Sequence, residues 1–159
     1  DGTNVLWLFA KNDKTDMLKV LFKNKKTKFE TIGENNMWEN VFSYAIKNKN
    51  LELVTLLLQN DFDVYTKNSL GQTPLMFAGE VWDANIIKIL LLANAKVDEV
   101  DTSGKNALLY ACIKSDENSI KVLLEKTTNK KIVDTDGKSC ENVLKESKTI
   151  SKELYELIK

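Results

Sequence analysis

A period of 33 residues constrains this chain more than any other feature. The stretch Asn68-Ser69-Leu70-Gly71-Gln72-Thr73-Pro74-Leu75-Met76-Phe77-Ala78 returns 33 positions later as Asp101-Thr102-Ser103-Gly104-Lys105-Asn106-Ala107-Leu108-Leu109-Tyr110-Ala111. One step back places Leu75 on Phe42 and Ala78 on Ala45; one step further forward places Gly104 on Gly137. Such a period marks stacked supersecondary units, each too small to bury its own apolar face and each covered by its neighbours. The start of the unit reads as a helix start. Gly71 supplies the turn, Thr73 can cap, and Pro74 at the first helical position has no N–H to leave unpaired. A second apolar stripe repeats as well: Val54, Leu57 and Leu58 map to Ile87, Leu90 and Leu91, then to Ile120, Leu123 and Leu124.

The pattern Gly71-x-Thr73-Pro74-Leu75-Met76-x-Ala78 strongly resembles the ankyrin repeat, whose period is also 33 residues. Asp61-Phe62-Asp63-Val64 and Asn94-Ala95-Lys96-Val97-Asp98 resemble that family's G-A-D-V-N segment. The resemblance implies an all-α fold, an ankyrin-repeat solenoid of stacked helix–turn–helix units joined by protruding β-turn or hairpin loops. It covers nearly the whole of residues 1–159, read as a single domain with units at about 1–34, 35–67, 68–100 and 101–133 and a cap at 134–159. In the first unit Val5 replaces the proline, and Met17, Leu18, Leu21 and Phe22 form one apolar helical face. In the cap, Glu141 falls on the motif leucine. A last helix with Ile150, Leu154, Leu157 and Ile158 on one face and Lys152, Glu153 and Glu156 on the other reads as the polar-faced end a solenoid needs.

Departures from the repeat carry their own expectations. The family's motif histidine becomes Trp7, Ser43, Met76 and Leu109, which removes its cross-turn hydrogen bonding. The glycines that end the first helices become Asp13, Lys49, Trp82 and Ser115, and a left-handed backbone there would strain each of them. Trp38 stands where a turn glycine belongs, and Lys126-Thr127-Thr128-Asn129-Lys130 alters one return loop. Cys112 and Cys140 form no CxxC and occupy positions that hold small apolar residues in the repeat. They are expected to be buried free thiols, with a disulfide or a redox role as the alternative.

Composition narrows the chemistry. The chain has 23 basic and 23 acidic residues; every basic residue is lysine, and there is no histidine. The guanidinium fork that reads phosphate or guanine bidentately is missing, and so is the commonest general base. A Ser-His-Asp or Cys-His arrangement is impossible within this chain, and neither a P-loop nor a dinucleotide loop is present. The carboxylate groups Asp61/Asp63 and Asp98/Glu99/Asp101 fall in inter-repeat turns, where acids shape the backbone; calcium-loop spacing is absent. No catalytic residue, cofactor or metal is expected, nor nucleic acid or a membrane, and the chain is expected to be a monomer. No apolar run approaches the roughly 20 residues that cross a bilayer.

Charge is uneven along the chain. Residues 1–33 hold seven lysines and four acids, with a basic knob at Lys25, Lys26 and Lys28, whereas residues 52–104 hold eight acids and three lysines. The acidic strip is either a solvated face or a guide for a partner with a basic patch. Ankyrin resemblance implies a non-enzymatic protein–protein interaction module that binds through turn tips and the concave face of the first helices. Position by position, the implied contacts are Ser69, Leu70, Gln72, Glu80, Val81 and Trp82; then Thr102, Ser103, Lys105, Ile113 and Lys114; and, one unit earlier, Asn36, Met37, Glu39, Lys47 and Asn48. Trp82 is either a loop anchor for a partner or a cover over the core beside it. The other functional expectation is a regulatory or targeting portion of a longer enzyme or secreted effector. Its support is that Asp1 lies almost on the motif glycine, so sequence upstream is expected to have been removed, as an export signal or at a cut boundary.

Overall fold

The structure, a computed structural model, describes residues 5–12, 14–23, 41–147 and 150–159. The expectations placed on Asp13, Lys25, Lys26, Lys28, Trp38 and the side chain of Trp7 lie outside the described residues. Among the described residues there are ten helices and no strand, with one isolated bridge pairing Val133 with Ser139. Contacts divide the chain into two compact units, residues 1–63 and 64–159.

The first unit holds α1 (Val5–Lys11), α2 (Thr15–Lys23), α3 (Val41–Lys47) and α4 (Leu51–Leu58). α1 packs on α2 and α3, and α2 and α3 both pack on α4. The Tyr44 hydroxyl donates to the Lys11 carbonyl at 3.2 Å, and Lys19 pairs with Asp16 at 3.2 Å and with Glu52. Leu18 is fully buried and Phe22 meets the Phe62 ring edge-on at 6.1 Å, but Met17 is 55% exposed. The apolar face of α2 is therefore narrower than its spacing suggests, with burial confined to the side that meets α1 and α4.

The second unit holds α5 (Pro74–Glu80), α6 (Ala84–Leu92), α7 (Ala107–Ile113), α8 (Glu117–Leu124), α9 (Cys140–Glu146) and α10 (Lys152–Ile158). The first helices α5, α7 and α9 lie side by side, α6 lies against α8, and α10 closes the row on α8 and α9. Each helix starts where a side chain can satisfy orphan N–H groups. Thr73, Asp83, Asn106, Asp116, Ser139 and Ser151 cap α5 to α10 in turn, as Asn50 caps α4. At α5 the sulfur of Met76, at the motif histidine position, accepts the Thr73 N–H at 3.4 Å; a weak acceptor closes the capping box.

Burial repeats with the sequence. Phe42, Leu75 and Leu108 are buried, as are Ala45, Ala78 and Ala111, then Val54, Ile87 and Ile120, then Leu57, Leu90 and Leu123. Each large aliphatic member contributes about 1.5–3 kcal/mol by leaving water. Leu58, Leu91 and Leu124, the last members of the second apolar stripe, are only half-buried, and Leu157 of α10 is 55% exposed. The positions that end the first helices do adopt the left-handed backbone without glycine: φ is 53° at Lys49, 60° at Trp82 and 54° at Ser115.

The cysteines correct the expectation of free thiols. Cys112 and Cys140 form a disulfide between α7 and α9, with Cα atoms 5.4 Å apart, and both residues are fully buried. Shifting the pair back by one period gives Gly79 and Ala107. There, too, the helices touch: a Cβ added to Gly79 would stand 2.6 Å from the Ala107 carbonyl oxygen. The same point of approach between successive first helices is a bare van der Waals contact in one pair and a covalent bond in the next. Closing a loop between residues 28 apart stabilises the fold by about 3.5 kcal/mol in the chain-entropy model.

Candidate protein-interaction surface

Three turns of the second unit share one construction. Asn68, Asp101 and Asp134 each accept two backbone N–H groups on one side-chain oxygen: from Leu70 and Gln72 at 3.0 and 2.9 Å, from Ser103 and Lys105 at 2.8 and 3.0 Å, and from Asp136 and Lys138 at 3.0 and 2.9 Å. Gly71, Gly104 and Gly137 close the turns at φ 75°, 77° and 73°, a region open to glycine at no steric cost. The turns are also joined to one another. Thr102 N–H donates to the Leu70 carbonyl and Thr135 N–H to the Ser103 carbonyl, each at 2.9 Å. The tips thus form a short ladder held by backbone hydrogen bonds, and a partner meeting it need not order that part of the backbone.

Tyr110 braces two of these turns. Its hydroxyl donates to Asp101 Oδ2 at 2.6 Å and accepts from Gln72 Nε2 at 2.6 Å. Burial and then the adjacent Asp101 carboxylate push the Tyr110 phenol up to about 12. Burial pushes the Asp101 carboxyl up, but the bonds from Tyr110, Ser103 and Lys105 outweigh it and hold the group below its usual value. Lys105 reaches Asp134 Oδ2 at 3.5 Å and ties the second turn to the third.

The residues named from the sequence are distributed unequally. Ser69, Leu70 and Thr102 stand exposed on the turn tips, and Trp82, Ile113 and Lys114 stand exposed at the ends of α5 and α7. Leu70 and Trp82 bracket the seven residues of α5, about 10 Å of helix. Glu80, Val81, Ser103 and Lys105 are half-buried. Gln72 is 9% exposed and its amide is shared between Tyr110 and Asn68, so it serves the turns. In the first unit Lys47 and Asn48 are exposed at the end of α3, whereas Asn36, Met37 and Glu39 lie outside the described residues.

Much of the acidic strip is occupied internally. Asp83 caps α6, Asp98 accepts from Thr127 and Thr128 of the altered return loop, and Glu99 pairs with Lys67 at 2.6 Å and Lys96 at 3.4 Å. Sequence reasoning missed Tyr110, and it missed a groove of about 270 Å³ lined by Lys105, Ile113, Asp136, Lys138, Asn142 and Val143. One signal was available for the turns: Asn or Asp stands three residues before each turn glycine. Among the described residues no group of acids and cysteines is placed to hold a metal ion, and no helix is long and apolar enough to cross a membrane.

Comparison with known proteins agrees with this geometry. Residues 42–136 match the family model for ankyrin repeats, in three copies. No curated protein matches the chain. Proteins built from such repeats are generally modules of protein–protein interaction and typically non-enzymatic. With the matched segment, the 33-residue period and the stacked helix pairs in agreement, the chain belongs to the ankyrin-repeat family.

Proposed function

We propose that this chain binds a partner protein through the tips of its turns and the exposed ends of its first helices, without catalysis. The observation that carries the reading is the exposure of Leu70, Trp82 and Ile113, at 39%, 58% and 42%: Leu70 on a tip of the hydrogen-bonded turn ladder, Trp82 and Ile113 at the ends of α5 and α7. Large apolar side chains on a rigid frame lose little conformational entropy on binding, and aromatic residues among them are the usual anchors of an interface. In the second unit Ser69, Thr102 and Lys114 supply a polar rim, and Glu80, Val81, Ser103 and Lys105 lie between rim and core; Lys47 and Asn48 are the corresponding exposed contacts of the first unit, taken by itself. The partner is a protein, the module is a monomer, and the reading includes no nucleic acid, membrane or cofactor.

The test is a pull-down in which wild type and a Leu70→Ala, Trp82→Ala double variant are compared as bait, with circular dichroism confirming equal helicity. A protein held by wild type and lost by the variant supports this surface. Equal capture by both refutes it.

A further inference from the structure

We propose that the Cys112–Cys140 disulfide is a redox latch on the C-terminal unit. While the bond is intact, α9 and α10 stay packed on α7 and α8; once it is reduced, that pair of helices opens separately from the rest.

Within the second unit the latch lies where burial is thinnest. α5 buries six of its residues and α7 buries five, whereas α9 buries Cys140 and Leu144, and α10 buries Leu154 and Ile158. Leu75 and Leu108, both fully buried, are replaced in α9 by Glu141, which pairs with Lys145 at 2.7 Å and accepts from the Tyr155 hydroxyl at 3.4 Å. This unit has given up its central leucine. Between α5 and α7 the approach of Gly79 to Ala107 is held without a covalent bond, because the surrounding apolar side chains suffice. Between α7 and α9 the same approach carries the disulfide, formed from the only two cysteines in the chain. The cross-link supplies restraint where the core does not.

The chemistry follows from burial. Both cysteines are fully buried, so an attacking thiolate reaches the bond only when the unit opens. A dithiol reductant then attacks one sulfur, forms a mixed disulfide, and displaces it with its second thiol. The reductant leaves as its own disulfide, and Cys112 and Cys140 each gain a proton. A low-molecular-weight disulfide reverses the exchange. The groove described above is walled by Ile113, next to Cys112, and by Asn142 and Val143, close after Cys140, so opening removes one wall. That consequence rests on the interaction reading; the latch does not.

Backbone hydrogen exchange followed by mass spectrometry tests the latch with no partner present. Oxidised protein, protein reduced with dithiothreitol, and a Cys112→Ala, Cys140→Ala variant are compared; the second change installs the residue that Ala107 supplies one period earlier. In both disulfide-free forms, amides of α9 and α10 should exchange about two orders of magnitude faster than in the oxidised protein, with α5 and α6 unchanged. Equal protection of α9 and α10 in all three forms overturns the proposal. So does an equal loss across α5 to α10, which would make the bond a global staple. Two free thiols in unreduced, denatured protein that had been exposed to oxidised glutathione would overturn it as well.

Discussion

Gly79→Ala sets helix propensity against packing, and the two disagree in sign. Gly79 lies within α5, and alanine in a helix interior is ordinarily better than glycine by about 1 kcal/mol. The structure predicts the reverse. The added Cβ would meet the Ala107 carbonyl oxygen at 2.6 Å and the Tyr110 Cβ at 3.4 Å. The first contact is with backbone, so no side-chain rotation relieves it, and α5 and α7 must separate. Overpacking of this kind costs about 1–3 kcal/mol. A 2.6 Å contact with backbone belongs in the upper part of that range, about 2–3 kcal/mol, so that after the propensity gain the net is a loss of about 1–2 kcal/mol, which in a chain of this size lowers Tm by about 2–8 °C. Urea and thermal unfolding followed by circular dichroism at 222 nm measure it. A variant with an unchanged or raised midpoint would refute the close approach of α5 to α7, and with it the equivalence between that contact and the Cys112–Cys140 bond.

Other expected outcomes follow from single residues. Tyr110→Phe leaves Asp101 Oδ2 and Gln72 Nε2 without their shared hydroxyl and should destabilise by about 1–2 kcal/mol in urea unfolding. The phenol is raised from 10.0 to about 12, so its contribution is whole below pH 10 and fades as pH rises from 10 to 12. Absorbance at 295 nm should show a tyrosine step near pH 12, and Tyr110→Phe should remove that step and flatten the alkaline loss. In acid the sign reverses: the lowered Asp101 and Asp134 carboxyls, Asp134 held chiefly by the Lys138 N–H, stabilise above the ordinary carboxylate range. That part is lost as pH falls through their folded values, as an acid unfolding series will show. Lys49→Gly relieves a left-handed lysine at φ 53° and should raise the urea midpoint by the equivalent of about 1 kcal/mol.

Sequence alone determined the elements that depend on local chemistry and on a repeated period. The 33-residue register located the helix pairs, because the same apolar positions recur and are buried alike from Phe42 to Leu123. Thr73 before Pro74 marked a helix start for reasons internal to one turn, and Lys49, Trp82 and Ser115 fell on left-handed ends because the motif places a glycine there. The exposed tips at Leu70 and Thr102 were legible in the same way.

What required tertiary structure was every contact between units. Met17 and Leu157 carry apolar side chains on apolar stripes, yet both are exposed, since burial depends on whether a neighbour covers that side. Tyr110 became a brace only when the turn of the preceding unit brought Gln72 to its hydroxyl. The disulfide was hidden for the same reason. Cys112 and Cys140 share no local motif, and nothing within either helix says that residues 28 apart meet. That follows from how closely successive first helices approach, a distance set by packing across the stack and seen first at Gly79 and Ala107.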